Sequence, residues 1–268
     1  MGADTKALRT RIRSVDSTLH LTKAMGLVAS SKIRHATEVM NKSRQYAKAV
    51  NSIISLLTAC NECKKSPYMR EYSVGKTRIV IIAGDRGLAG GYNANVFRLA
   101  KEYADADFIP IGKRACERYG EGYTSAEHFT LENGAELSLK LCREFSKGEY
   151  DRLGVIYTKY VSVMTQEAHI EWILPLSESE KKSNAGTIFE PDELTILNQA
   201  VPEYINGRLM GFIRESYASE VAARRMAMDS AGKNAQTMID TLQLEYNRAR
   251  QGAITQEITE IVAGSDAE

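Results

Sequence analysis

From about Leu194 to Val262 the sequence carries one helical pattern, and from Glu203 to its C-terminus it contains no proline. Gly207, Gly211 and Gly232 stand isolated within it, and each costs a helix about 1 kcal/mol relative to alanine. Small and apolar residues recur at helical spacing: Ala223, Ala227, Ala231 and Ala235, then Met238, Leu242, Tyr246, Ala249 and Ala253, ending at Ile254, Ile258 and Ile261. A periodic pattern much longer than about 25 residues belongs to a coiled coil, a membrane span or a helical repeat. Charges at Arg224, Arg225, Asp229, Lys233, Asp240, Glu245 and Arg248 leave no apolar run of about 18 residues, which excludes the span. What remains is a long helix in need of a partner. At roughly 1.5 Å per residue it reaches about 90–100 Å.

The partner is legible at the other end of the chain. Over residues 4–58 the series Leu8, Ile12, Val15, Leu19, Thr22, Gly26, Ala29, Ile33, Ala36, Met40, Ser43, Ala47, Val50, Ile54, Leu57 steps alternately by four and three. That strict seven-residue repeat implies a left-handed supercoil. Its middle is built of small residues, which let two helix axes approach closely. The C-terminal alanine stripe is equally small. Small against small predicts an intramolecular antiparallel pair, whereas a parallel homodimer favours large aliphatics at both seam positions.

Between the helices the pattern changes. Arg78–Ala83 is a short β-branched run, hence a buried strand. Gly91–Tyr103 reads as helix, Phe108–Ile111 as strand, Lys113–Tyr119 and Gly134–Phe145 as helices, Leu153–Tyr160 and Met164–Leu174 as strands. Strand alternating with helix predicts an open, largely parallel α/β sheet. Ser177–Gly186 is a polar connection, and Pro191 suits a first helical turn, with Asp192 and Glu193 placed favourably for the helix dipole. The expected fold is therefore α/β: a long antiparallel coiled coil from the two terminal segments, with an inserted Rossmann-like open α/β domain. The boundaries are residues 1–60 and 191–268 for the coil helices and 75–190 for the α/β domain.

Composition narrows the function. The formal charge is +1, so no strong overall attraction to nucleic acid or anionic lipid is expected. Residues 1–50 carry ten Lys/Arg against three Asp/Glu, while residues 202–268 carry seven against ten. The basic residues of the first helix are dispersed and the apolar seam runs through them, unlike a DNA-reading basic region. They read better as a rod facing acidic protein surfaces. Asp4, Lys6, Arg9, Arg11 and Arg13 break any signal-peptide core, which favours a soluble intracellular protein.

Candidate chemistry is sparse. Cys60 and Cys63 have metal or redox spacing, but a zinc site needs two further ligands and neither a second Cys pair nor paired histidines follow. Gly84-Asp-Arg-Gly87-Leu-Ala-Gly90-Gly91 follows a strand and opens a helix. It lacks both the G-x-G-x-x-G spacing of a dinucleotide fold and the Gly-Lys-Ser/Thr of a phosphate loop. A helix N-terminus there could hold an anion; a tight turn whose glycines allow close packing is the preferred reading. No nucleophile–base pair stands out. No cofactor, no metal and no catalytic residue are expected.

Three segments resemble one family. Thr22-Lys-Ala-Met-Gly-Leu-Val-Ala-Ser-Ser-Lys32 is similar to the N-terminal helix motif of the gamma subunits of F-type ATP synthases. Gly84-Asp-Arg-Gly-Leu-Ala-Gly-Gly-Tyr-Asn93 resembles their Ser-Asp-Arg-Gly-Leu-Cys-Gly-Gly-x-Asn turn, with Gly84 in place of serine. Leu244-Glu-Tyr-Asn-Arg-Ala-Arg-Gln-Gly-Ala-Ile-Thr-Gln-Glu-Ile-Thr-Glu-Ile-Val-Ala-Gly264 resembles their C-terminal helix, with Ser265 next where alanine is usual. The Cys60/Cys63 pair is no part of that pattern.

The resemblance implies a non-catalytic rotor shaft that couples an ion-driven ring to ATP synthesis or hydrolysis in the catalytic subunits. Its implied partners are the alpha and beta subunits of the head, the epsilon subunit and the membrane ring of c subunits, with no nucleic acid. Its implied place is peripheral, on the cytoplasmic face of the bacterial cell membrane. By similarity Lys23 and Met25 approach acidic loops of a catalytic subunit. Arg250, Gln251, Thr255 and Glu257 form polar contacts at the top of the shaft, and Ile254, Ile258 and Val262 sit in an apolar sleeve. Seam packing is the competing role for Met25, Ile258 and Val262, and a solvated face for Arg250 and Gln251. Phe189, Glu190 and Asp192 resemble the foot that meets the membrane ring. A different class of function is a free-standing coiled-coil scaffold whose Gly84–Gly91 turn senses a nucleotide.

Overall fold

The computed structural model describes residues 2–179 and 189–265. Most of the polar connection expected over Ser177–Gly186 lies outside them. The elements are, in chain order, α1 (Gly2–Leu57), β1 (Thr77–Ile82), α2 (Tyr92–Ala100), β2 (Asp107–Ile111), α3 (Lys113–Tyr119), α4 (Leu131–Ser146), β3 (Arg152–Tyr160), β4 (Gln166–Leu174) and α5 (Glu193–Ser265). Helical N- and C-terminal segments thus enclose a central α/β segment, as the sequence pattern predicts. All fifteen positions of the α1 heptad series are buried or half-buried, from Leu8 to Leu57.

The chain forms two units, one of residues 1–29 with 225–268 and one of residues 30–224. In the first, α1 and α5 run antiparallel: Leu19 packs with Ala235 and Ile239, and farther along α1 a Cβ at Gly26 would stand 3.6 Å from Met228 Cβ. Gly232 faces Thr22 and Leu19. Contact this close between small residues limits buried apolar area, so the pair relies on shape more than on hydrophobic burial. The expected seam drifts at one point. Ile239 is buried and Met238 is 45% exposed, because Ala235, Ile239 and Leu242 continue one helical face by steps of four and three, and Met238 lies beside it.

In the second unit a four-stranded sheet has the order β2-β1-β3-β4. β1 is parallel to both β2 and β3, and β3 pairs antiparallel with β4. The sheet is mixed, with its one antiparallel pair at the β4 edge. Ile79–Ile82 are fully buried because both faces are covered. Val80, Ile82, Leu153 and Val155 meet the end of α1 (Ile54, Leu57), α4 (Leu137, Leu141, Phe145) and α5 (Leu197–Ile213). Ile79, Ile81 and Ile156 meet Val96 and Ala100 of α2 and Ala115 of α3. Each buried Val, Leu, Ile or Phe among them contributes about 1.5–3 kcal/mol.

Some boundaries differ from the sequence expectation, each for a local reason. α4 starts at Leu131 because Thr130 and Asn133 form a reciprocal cap, each side chain accepting from the other's backbone N–H. β4 starts at Gln166 because Ser162 Oγ accepts from Met164 N and Thr165 N and closes a hairpin turn. Pro191 precedes α5 and does not sit in its first turn. Asp192 caps the helix instead, its carboxylate accepting from Thr195 N at 2.8 Å and from Thr195 Oγ1 at 2.8 Å. Pro202 lies inside α5 and has no N–H for the carbonyl of Asn198.

One glycine is indispensable to this architecture. Gly112, between β2 and α3, has φ +101°, and a Cβ there would stand 2.1 Å from the Ala83 carbonyl oxygen. Gly112→Ala is expected to lower stability by about 3 kcal/mol through strain and overlap together. Urea unfolding of the full chain checks this, and an unchanged midpoint would contradict it.

Candidate functional site

The glycine-rich turn after β1 is a structural knot. Asp85 accepts hydrogen bonds from Ser125 Oγ (2.6 Å), Ala126 N (2.9 Å), Glu127 N (3.1 Å) and Lys113 N (3.2 Å). Burial alone would raise its pKa, but the Ser125 hydroxyl and these three backbone N–H groups outweigh it and hold the carboxyl below its ordinary value. The carboxylate thus takes the Lys113 N–H at the start of α3, a donor that an anion at this helix end would otherwise use. Asn93 Oδ1 accepts from Gly84 N.

Glycine at position 84 matters for what lies above it. A Cβ there would stand 2.8 Å from the carboxyl carbon of Glu220 on α5. Glu220 is 4% exposed. Burial raises its pKa, and Arg224, at 2.5 Å, opposes that shift. Arg224 also donates to the Gly87 carbonyl through Nε (3.3 Å) and Nη2 (3.2 Å).

A second carboxylate joins the same region to α1. Glu127 accepts from Lys32 Nζ at 3.1 Å and from Tyr217 Oη at 2.9 Å, with Arg86 at 3.7 Å. Burial would raise its pKa, and these partners hold it low. Burial and the Glu127 carboxylate push the Tyr217 phenol up to about 12.

Sequence reasoning missed Glu127, Glu215, Glu220 and their partners. Glu215 and Glu220 sit within Phe212–Ala222, where every residue except half-buried Arg214 and Tyr217 is buried. A carboxylate inside so apolar a stretch was the available signal, because acidic residues are almost never fully buried unless paired.

The residues expected at the top of the shaft fall on one stretch of α5. Arg250, Gln251, Thr255 and Glu257 are exposed, as are Ile254 (46%) and Ile258 (57%). Arg250, Ile254 and Glu257 line one open groove with Tyr246, Ala253 and Thr5. Thr255 Oγ1 donates to the Gln251 carbonyl at 2.9 Å. Val262, the third residue of the expected apolar sleeve, is 53% exposed.

Lys23 and Met25 belong to a separate place. Lys23 is exposed and Met25 half-buried, one residue before the Gly26–Met228 contact. Met228 lies 22 residues before Arg250 on α5, about 33 Å along the helix at roughly 1.5 Å per residue. The foot residues lie at the other end of α5: Phe189 packs on the main core cluster, Glu190 is exposed, and Asp192 serves as the helix cap.

All four cysteines are free thiols. Burial, then Cys60 and nearby carboxylates, push the Cys63 thiol up to about 11, so it is protonated at neutral pH. Among the described residues no group of three or more His, Cys, Asp or Glu is placed to hold a metal ion. No helix among them is long and apolar enough to cross a membrane.

The Asp85 knot has a defined pH signature. A carboxyl held below its ordinary 3.8 contributes stability that is complete above that value and is lost as pH falls through the folded pKa. Asp85→Asn is expected to cost about 2 kcal/mol at pH 7, with the gap to wild type narrowing below about pH 4. Thermal melts at pH 7 and pH 3 read both, and a gap independent of pH would contradict the assignment.

Comparison with known proteins joins these observations. Residues 4–267 match the family described as ATP synthase. The chain is 40% identical over 281 residues to the ATP synthase gamma chain of Ruminococcus albus, covering 98% of each sequence. It is 37% identical over 300 residues to the sodium-ion-specific ATP synthase gamma chain of Acetobacterium woodii, covering 100% of this chain and 99% of that one. Among solved structures, a chain of the Euglena gracilis mitochondrial ATP synthase OSCP/F1/c-ring assembly in rotational state 3 shares the fold. Its TM-score is 0.69 at 16% identity, over 100% of this chain and 95% of that one. Identity of this extent over the whole length places the chain in the family of ATP synthase gamma chains.

Proposed function

We infer that this gamma chain works as the central rotor shaft of an F-type ATP synthase, coupling rotation of an ion-driven ring to ATP synthesis or hydrolysis in other subunits. It is a stalk subunit of the complex and not its catalytic subunit. The observation that carries the reading is the end of α5. Ile254, Ile258, Ile261 and Val262 are 46%, 57%, 72% and 53% exposed on this last stretch of the helix. Four large aliphatics exposed within nine residues of one helix mark a surface for a partner. A sleeve of head subunits is that partner. Residues 1–60 and 191–268 act as the torque-bearing helices and 75–190 as the globular part.

The same reading assigns the remaining contacts. Lys23 and Met25 face a catalytic subunit. Arg250, Gln251, Thr255 and Glu257 make the polar contacts beside the sleeve, with Ile254 and Ile258 inside it. Glu190, with Phe189 and Asp192 behind it, faces the ring of c subunits. The head's alpha and beta subunits, epsilon and the c ring are the partners, and membrane association is indirect, at the cytoplasmic face of a bacterial cell membrane. A shaft that presents different faces to three otherwise equivalent catalytic subunits couples its angle to their affinity states.

Tagged purification from gently solubilised membranes with native mass spectrometry tests this. One copy of the chain with three copies each of two head subunits is expected. A free monomer or homodimer would overturn it. In the assembled complex Arg250→Glu is expected to slow coupled turnover several-fold, since the reversed charge would repel the surface that Arg250 matches; wild-type turnover would remove Arg250 from the contact set.

A further inference from the structure

The rotor reading leaves open how the α/β body grips the helix that carries torque, and the stretch 215–224 of α5 shows the grip. β3 pairs with β1 through Arg152–Ile156, so on that side Thr158 and Tyr160 have no strand beside them. Side chains of α5 take the place of one. Thr158 N donates to Ser216 Oγ (3.1 Å), Ser219 Oγ donates to the Thr158 carbonyl (3.1 Å), and Tyr160 N donates to Glu215 Oε1 (3.0 Å). Arg44 of α1 closes the group, bonding Glu215 Oε1 at 2.7 Å and the Tyr160 carbonyl at 3.0 Å.

Elsewhere on the same stretch of α5, Tyr217 reaches Glu127, Glu220 lies against Gly84, and Arg224 donates to the Gly87 carbonyl. Tyr92 Oη of α2 donates to the Ser216 carbonyl at 3.1 Å.

At about 100° per residue these α5 positions fall in the angular order 215, 219, 216, 220, 224, 217 and span roughly 200° of the helix circumference. The bonds therefore surround more than half of α5. Apolar ridges and small-residue seams resist separation but have several near-equivalent rotational settings. Hydrogen bonds to fixed backbone groups have one. Buried ion pairs are also poor stabilisers compared with apolar packing of the same volume, and their attested use is to fix a register.

We propose that residues 215–224 of α5 form a torque collar: an arc of buried and half-buried directional bonds to β3, to the Gly84–Gly91 turn and to α1 that locks the rotational setting of α5 against the α/β body. Glu215, Ser216, Ser219, Glu220 and Arg224 are positioning residues in this role and touch no catalytic centre. The collar rests on the rotor reading.

The test uses the purified whole complex, with the head fixed to a surface and a bead on the membrane ring. Two quantities are read: the ATP hydrolysis rate, and the angular variance of the bead while the rotor pauses. Glu215→Gln with Glu220→Gln is expected to leave hydrolysis within about twofold of wild type and to raise the variance at least about twofold, by removing charge from two of the directional contacts. Ser216→Ala with Ser219→Ala, the milder pair, is expected to move the variance in the same direction and secures the test if the carboxylate variant assembles poorly. Gly148→Ala, strained at φ +73° in the turn before β3 and outside the collar, is expected to leave the variance at the wild-type value. Unchanged variance in the assembled collar variants, or an equal rise with Gly148→Ala, would overturn the collar. Failure of wild type to co-purify with a head and ring would instead overturn the rotor reading beneath it.

Discussion

The architecture depends on how one helix satisfies the backbone of a strand it does not pair with. Where β1 ends, β3 continues, and a buried strand edge with unpaired N–H and C=O groups would cost about 1–3 kcal/mol for each group left unsatisfied. Ser216, Ser219 and Glu215 of α5 supply those partners to Thr158 and Tyr160. The solution works for one rotational setting of α5 alone. Everything nearby follows from that setting: Glu220 reaches over Gly84, where a Cβ would make its carboxylate shift, and Arg224 reaches the Gly87 carbonyl. The turn that carries Gly84 and Gly87 is held in its turn by Asp85.

Two kinds of contact divide the work along α1 and α5. In the unit of residues 1–29 and 225–268, close packing of small residues keeps the helices together, as at Gly26 with Met228 and Gly232 with Thr22. In the unit of residues 30–224, apolar contacts continue at Ala36, Met40 and Ala218, but Arg44–Glu215 and Lys32–Glu127 add direction. A helix pair held by shape alone suits a surface that must pass partners in succession. A helix pinned by hydrogen bonds suits the place where force enters it.

The sequence made the periodic features plain. The α1 heptad needed no tertiary information, because steps of four and three persist over fifteen positions and each proves to be shielded. The β1 run Ile79–Ile82 identified a strand buried on both faces. Features set by tertiary partners were harder to read. Met238 and Ile239 are adjacent and both apolar, and the position of α1 decides which one is buried. Pro191 looked like a helix start because proline suits a first turn, yet the side chain of Asp192 competes better for the free N–H groups. The collar was invisible for a similar reason. A glutamate on a helix reads as a solvated face unless its neighbours show that no solvated face exists there, and Glu215 and Glu220 stand among such neighbours.

In a rotor shaft α1 and α5 travel together, and a cross-link where they touch tests the rotor reading most directly. A Cβ at Gly26 would stand 3.6 Å from Met228 Cβ, within the roughly 3.5–4.5 Å that a disulfide needs. Gly26→Cys with Met228→Cys, oxidised in the assembled complex and verified by peptide mass spectrometry, fixes one helix to the other. The account predicts that ATP-driven rotation proceeds at the same rate oxidised and reduced. Rotation that stops on oxidation and returns on reduction would show that the helices must move past one another, and would contradict it.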